Sequence, residues 1–138
     1  RMASDGVEAD VITFTTLLDG CVKAARDGDD GGLKEAMEVL REMQGHGLVP
    51  NVVTFNCLLG ACAKAALKHG DPMVDNGMEL LERMKELGVA PNAVSFNTLI
   101  AACARTAGST RSRERAEVAL RRGLGLLKEM QQWGLRPD

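Results

Sequence analysis

The sequence is poor in aromatic residues, which make up 3% of its 138 residues, and it contains no Tyr. Hydrophobic residues nevertheless reach 45%, which is enough to form a folded core. A core built from Leu, Val, Ala and Met rather than from rings indicates helices packed at short range, because small side chains let helix axes approach. The 15 Gly and four Pro residues are then expected to separate the helices.

The sequence also lacks an excess of charge of one sign and a long apolar run. The formal net charge is -2, so there is no global positive field of the kind that drives non-specific nucleic-acid binding. No apolar stretch approaches the roughly 20 residues that cross a bilayer, so a membrane is not an expected partner. Residues 1–10 lack the acid-free amphipathic character of a targeting peptide, so we expect no targeting segment within this chain.

The four cysteines lack the spacing of a disulfide framework or a metal site. Cys21, Cys62 and Cys103 lie 41 residues apart in turn and therefore occupy equivalent places in a repeat. Neighbouring helices pack about 8–10 Å apart, whereas a disulfide needs Cα atoms within about 7 Å. We predict small buried thiols, with Cys57 as a structural residue outside the pattern, and no metal or cofactor.

An internal repeat accounts for nearly the whole chain. Residues 11–25, 52–66 and 93–107 align with one another, and a second block recurs at 33–43, 74–84 and 120–130. Such a fixed period is typical of solenoids. The predicted units are residues 1–10 as the end of a preceding repeat, then 11–51, 52–92 and 93–138, the last with a longer insertion between its helices.

Each unit has the pattern of two helices and a stop. Phe14, Leu17, Leu18 and Cys21 have the i, i+3, i+4, i+7 spacing of one buried stripe. The second helix ends at a Gly that fits a left-handed C′ residue, followed three positions later by Pro. Ala36, Gly77 and Gly123 share one position on the second helix, which predicts a close helix contact there. Variable insertions separate the two helices at 27–32, 68–72 and 108–113.

The repeats resemble the pentatricopeptide repeat family. The resemblance rests on three strings, namely Val-Val-Thr-Phe-Asn at 52–56 followed by Leu58-Leu59, Met-Glu-Leu-Leu-Glu-Arg-Met at 78–84, and Leu-Gly-Val-Ala-Pro-Asn at 87–92. It implies an all-α fold, a right-handed α-solenoid of helix-turn-helix repeats. It also implies single-stranded RNA as the partner, with one base read per repeat. The units differ from the family's ordinary ones in their longer interhelix loops.

The resemblance assigns roles to three sets of residues. The fifth and last residues of each unit face the base edge, the second packs against the base plane, and a basic residue on the first helix lies near the phosphates. The base-reading pairs are Thr15 with Asn51, Asn56 with Asn92, and Asn97 with Asp138; the base-packing residues are Ile12, Val53 and Val94; the phosphate-contacting residues are Lys23, Lys64 and Arg105. By the family's pairing code, they imply a preferred core of 5′-A-C-U-3′, with uracil second at the middle base.

Structural interpretations exist for several of these features. The three cations can be solvated surface residues, and Phe14, Phe55 and Phe96 fit a core better than a stacking platform. Residues 27–32 imitate part of a calcium loop, but Gly31 stands at a ligand position and Lys34 replaces the required apolar residue. No nucleophile–base pair, acid cluster or phosphate loop occurs, so this segment is not expected to be an enzyme.

Three functions are compatible with the pattern. The first is sequence-selective RNA binding in organelle RNA processing, stability or translation, with the chloroplast or mitochondrion implied only by the family. The second is a structural subunit that makes mainly protein contacts, for example with other proteins of an RNA-processing, ribosomal or polymerase assembly. The third is a tetratricopeptide-type peptide binder, which the missing early Trp and Gly-Tyr spacing disfavour.

Overall fold

A computed structural model describes residues 2–24, 31–69 and 71–136, and all secondary structure in these ranges is α-helical. None of the helices within them is long and apolar enough to cross a membrane. The helices are α1 (Met2–Ala24), α2 (Gly31–Gly45), α3 (Val52–His69), α4 (Asp71–Glu86), α5 (Ala93–Ser109) and α6 (Arg113–Gln132).

The helices pack in consecutive pairs, and the pairs stack. Helix α1 packs on α2, α3 on α4, and α5 on α6, while α3 also contacts both α1 and α5. The first helices of the pairs therefore form one wall. The second helices are linked to one another by polar contacts, for example Arg83 Nη2 to Gln44 Oε1 at 3.1 Å and Arg122 Nη2 to Asp75 Oδ1 at 2.6 Å. This stack confirms the predicted all-α solenoid of helical hairpins.

The apolar stripes of the first helices form most of the core. Phe55 and Phe96 are fully buried, as predicted, so neither ring is a surface stacking platform. Phe14 is partly buried and packs against the His46 ring, with centroids 5.6 Å apart. On the second helices, Leu40 and Leu81 are likewise fully buried.

The prediction that Leu17 is buried was wrong. Its side chain is 55% exposed, whereas the equivalent Leu58 and Leu99 are inaccessible. Leu99 lies against Gly77 on α4, the second helix of the unit before it. Among the described residues no such helix covers the corresponding side of α1, so the periodic pattern of the sequence overestimates burial at this end of the stack.

The ends of the second helices have the predicted glycine geometry. Gly47, Gly88 and Gly134 have φ angles of 75°, 79° and 76°. In the first case the Leu48 N–H donates to the Met43 carbonyl at 3.2 Å, and the Gly47 N–H donates to the Gln44 carbonyl at 2.9 Å. These two bonds form a Schellman motif, which satisfies the carbonyls of the last turn.

Residues 1–10 are predicted as the end of a preceding repeat, but the described residues 2–10 contain no helix break of the kind that ends the later units. Helix α1 begins at Met2 and continues through Gly6. At the position equivalent to Pro50 and Pro91 the chain has Ala9, which keeps its backbone N–H and has no ring to clash with the preceding turn. The helix therefore continues where the later units break. The unit boundaries themselves stay predictions.

The predicted insertions between helices differ in extent. The second, at 68–72, is short, because α3 runs to His69 and α4 begins at Asp71. The third, predicted at 108–113, is shorter in the structure, where only residues 110–112 separate α5 from α6. Most of the first, including the calcium-loop imitation at 27–30, lies outside the described residues.

Candidate nucleic-acid interface

Asn51 and Asn92, the last residues of the first two predicted units, cap the first helices that follow them. The Asn92 Oδ1 accepts a hydrogen bond from the Ser95 backbone N–H at 3.2 Å, and the Asn92 N–H donates to Ser95 Oγ at 3.1 Å. Asn51 and Thr54 make the same reciprocal contacts at 3.0 and 3.3 Å. The sequence reasoning missed these capping boxes, although the signal, Asn followed three residues later by Ser or Thr, is visible in the sequence.

The middle pair of predicted base-reading residues is assembled around this cap. Asn56 Nδ2 on α3 donates to Asn92 Oδ1 at 3.1 Å. The Ser95 hydroxyl on α5 donates to Asn56 Oδ1 at 2.5 Å. The two asparagines are therefore in direct contact, and a hydroxyl from the following unit bridges them. Both are half-buried, so each retains some exposed surface.

The first pair has a related arrangement one unit earlier, in which the Thr54 hydroxyl links its two members. The Thr15 and Thr54 hydroxyl oxygens lie 2.7 Å apart, and the Thr54 hydroxyl donates to Asn51 Oδ1 at 3.0 Å. Asn51 is exposed, but Thr15 is only 9% exposed. At this pair the amide is therefore the more accessible partner.

The third pair is incomplete in the part of the chain that the structure describes. Asn97 is half-buried, and its Nδ2 atom is inaccessible and without a hydrogen-bond partner. Its predicted partner Asp138 lies outside the described residues. In the first two pairs a hydroxyl group of the following unit, Thr54 or Ser95, contacts the base-reading residue. The corresponding hydroxyl for Asn97 would belong to a further unit.

The predicted base-packing residues form a periodic row of exposed apolar side chains. Ile12, Val53 and Val94 are 62%, 55% and 54% exposed. Each lies in the same turn of its helix as a capping or hydroxyl residue. A branched apolar side chain next to a polar pair provides both a packing surface and hydrogen-bonding groups, as base recognition requires.

The three predicted phosphate contacts are not equivalent in their surroundings. Lys23 is exposed and its Nζ lies 2.9 Å from Asp19 Oδ2; the hydrogen bond and the charge of Asp19 raise the pKa of Lys23. Arg105 is exposed and Lys64 half-buried. The positions equivalent to Asp19 are Gly60 and Ala101, so this acidic neighbour is particular to the first unit and partly neutralises its cation.

The prediction of buried thiols is met at Cys62 and Cys103 but not at Cys21, which is half-buried. Cys62 and Cys103 are buried, Cys21 and Cys57 are half-buried, and none of these four described residues forms a disulfide. Burial raises the pKa of Cys62 to about 12, and a thiol of that kind is inert at neutral pH. Burial, and next the Asp19 carboxylate, raise the pKa of Cys57. Within the described ranges no group of His, Cys, Asp and Glu could hold a metal ion.

Comparisons with known proteins agree with this architecture. The family model described as the pentatricopeptide repeat domain matches residues 1–65 and 74–106. Among solved structures, the pentatricopeptide repeat protein PPR10 in complex with an 18-nt psaJ RNA element is similar, with a TM-score of 0.56 and 25% sequence identity. A variant of PPR10 with three Cys-to-Ser substitutions, bound to the same element, gives the same values. The match covers 93% of this chain and 20% of PPR10. No curated protein matches the chain significantly.

Proposed function

Because the chain belongs to the pentatricopeptide repeat family, we propose that it binds single-stranded RNA sequence-selectively, reading one base with each repeat, and catalyses no reaction in this segment. The main support for this proposal is that a polar pair recurs at the same position of two successive units, each time beside an exposed apolar residue. The two pairs are Thr15 with Asn51 and Asn56 with Asn92. The similarity to PPR10, whose structure contains RNA, supports it.

The proposed target core is 5′-A-C-U-3′, read parallel to the chain. Thr15 with Asn51 takes adenine, Asn56 with Asn92 takes cytosine, and Asn97 with Asp138 takes uracil. Ile12, Val53 and Val94 pack against the bases, and Lys23, Lys64 and Arg105 neutralise phosphates. A local row of cations is compatible with the net charge of -2, because acidic residues such as Glu38 and Glu79 lie on the second helices.

Side-chain NMR tests the proposal in the protein as it is. Three bases provide weak affinity, so titration should be followed through the Asn side-chain amide signals. A short RNA containing ACU should shift the signals of Asn56 and Asn92 and bind roughly tenfold more tightly than the same RNA with AGU, since mispaired base contacts cost about 1–3 kcal/mol.

A matched pair of variants separates the proposed site from the rest of the surface. Asn56→Ala should abolish the preference for ACU. Asn76→Ala removes a similarly half-buried amide on α4, away from the reading row, and should leave binding unchanged. Equal affinity for ACU and AGU, or an equal effect of the two variants, would contradict the proposed function.

The cellular role that follows is binding of organelle transcripts in RNA processing, stability or translation. We propose a chloroplast or mitochondrial location on the basis of the family alone. Imaging of the tagged protein in plant or other eukaryotic cells, with organelle markers, tests the location; crosslinking and sequencing of bound RNA tests the role.

One observation favours the second candidate function, a scaffold that contacts proteins of a ribosomal or polymerase assembly. The face formed by α5 and α6 exposes apolar side chains, among them Leu120 at 53% and Leu124 at 59%. A cavity of about 320 Å³ lies beneath them, beside Ile100 and Gly123. A scaffold role predicts no response to RNA in the titration above and loss of partner binding on Leu124→Glu.

A further inference from the structure

Two hydroxyl groups that the family resemblance did not assign to RNA recognition contact the proposed base-reading pairs. Ser95 bridges Asn56 and Asn92, and Thr54 bridges Thr15 and Asn51. Both are fully buried, so neither is placed to touch a base itself. Each belongs to the unit after the one whose base-reading residue it contacts.

The contacts around Asn92 determine which way its side-chain amide points. Its Oδ1 accepts from the Ser95 backbone N–H at 3.2 Å. A flipped amide would place an NH₂ group against that N–H, so the cap requires the oxygen in this position. The Nδ2 group of Asn92 is consequently directed away from the helix start and offers only N–H donors.

The orientation of Asn56 follows from that of Asn92 and from Ser95. Asn56 Nδ2 donates to the Asn92 oxygen at 3.1 Å, and Asn56 Oδ1 accepts from the Ser95 hydroxyl at 2.5 Å. Rotating the Asn56 amide by 180° would bring two carbonyl oxygens together. Its oxygen is directed toward the buried Ser95, and one N–H is left for a ligand.

We propose that Ser95 is a positioning residue that gives the Asn56–Asn92 pair a donor-only character, so that the pair selects a base with two adjacent acceptors. Cytosine has such a pair in N3 and O2, whereas uracil places an N3–H donor between its two carbonyl oxygens. This inference rests on the proposed function and gives a physical reason for the proposed preference for cytosine over uracil at the middle position.

The first pair is less constrained in the same respect. Either Thr15 or Thr54 can be the donor in the hydrogen bond between their hydroxyls. When Thr54 donates to Asn51 Oδ1, Thr15 donates to Thr54 and retains an acceptor lone pair, while Asn51 Nδ2 offers a donor. One acceptor with one donor matches the N6 amino group and N1 of adenine.

Substitution of Ser95 tests the proposal. In Ser95→Ala the Asn56 oxygen loses its hydroxyl partner and the amide is held by one hydrogen bond, to Asn92, instead of two. Its oxygen therefore becomes available to the N3–H of uracil. The ratio of affinities for ACU and AUU RNA should fall about fivefold, the value of one neutral hydrogen bond. Ser95→Thr keeps the hydroxyl, as Thr54 does naturally, and should retain the wild-type ratio.

A merely structural role of Ser95 predicts a different result. Loss of the capping box alone would weaken ACU and AUU binding equally, and an unchanged ratio in Ser95→Ala would overturn the proposal. If Ser95→Ala does not fold, Ser95→Cys, with similar volume and a weak donor, should give an intermediate ratio, and a wild-type ratio there would likewise count against it.

A measurement without RNA separates this proposal from the proposed function. In the free protein, hydrogen exchange of the Asn56 side-chain amide should be faster in Ser95→Ala than in Ser95→Thr or wild type; equal rates contradict the orienting role. If wild type binds no RNA, the proposed function fails. If wild type prefers cytosine and only the Ser95 results disagree, the positioning role alone fails.

Discussion

At the residue scale, Asn92 combines two tasks that the sequence does not distinguish. It caps α5 through a reciprocal pair of hydrogen bonds with Ser95, and it also contacts Asn56 across the unit boundary. A residue in the capping position is held by the helix start, so its remaining N–H groups have a defined direction. The same holds for Asn51 at the start of α3. Helix capping thus orients the groups proposed to recognise RNA.

Asn92→Asp should change the base preference without unfolding the chain. Asp is as good an N-cap as Asn, and its charge is favourable at a helix N-terminus. It replaces an N–H donor by an acceptor, so the pair with Asn56 should prefer uracil to cytosine. Titrations with ACU and AUU RNA measure the change.

The control for that experiment is Asn92→Ala. This substitution removes the helix cap together with the N–H donor and should lower the free energy of unfolding by about 1 kcal/mol. The variant should bind ACU and AUU RNA equally well, whereas Asn92→Asp should reverse the preference. Retained cytosine preference in Asn92→Asp would contradict the role assigned to this residue.

At the element scale, the close contact between consecutive units depends on Gly77. A Cβ atom at this position would lie 2.5 Å from Leu99 Cδ2, and Leu99 is fully buried. At the equivalent Gly123 the nearest atom would be Cys103 Cβ at 3.5 Å, an ordinary contact distance. The two glycines are equivalent in the repeat, but within the described part of the chain only the first is enclosed by a following helix.

We expect Gly77→Ala to be less stable than Gly123→Ala by about 1–2 kcal/mol. Both substitutions gain helix propensity, but Gly77→Ala must displace Leu99 from a packed site. Thermal and urea unfolding, followed by circular dichroism, measure the difference. Equal stabilities would mean that Leu99 moves aside at no cost. The equivalent residue of the first unit, Ala36, is buried, so the packing at this position can accommodate a methyl group there.

At the scale of the whole molecule, the positive charge proposed to contact RNA is local. Lys23, Lys64 and Arg105 recur on the wall formed by α1, α3 and α5, while the chain as a whole has a net charge of -2. The charge of Lys23 is partly offset by its acidic neighbour Asp19.

Replacement of the three cations by Gln should weaken RNA binding and flatten its salt dependence. Each lost phosphate contact lowers the slope of log K against log[salt] by roughly 0.7 for single strands, to a total of about 2. The control replaces Lys34, Arg41 and Lys128, which are exposed on second helices, and changes the net charge equally. If both triple variants behave alike, the effect is due to net charge and not to the cationic row.

The sequence by itself determined the elements and their order. The 41-residue period, the stripe containing Phe55 and Phe96, and the terminal glycines depend on local spacing and backbone preference, which are visible without a structure. The resemblance also placed Asn56 and Asn92 in one site, and these residues do lie in contact.

Only the tertiary structure decided which periodic positions are buried and which polar groups meet. Leu17 and Leu58 are equivalent in sequence but differ in exposure, because burial in a stack depends on whether a neighbouring helix is present. The bridges made by Thr54 and Ser95 join residues about forty positions apart, and their hydrogen bonds arise from the superposition of units. The repeat pattern specifies which polar side chains each unit contains. Contacts between units determine which of their hydrogen-bonding groups remain available to a ligand.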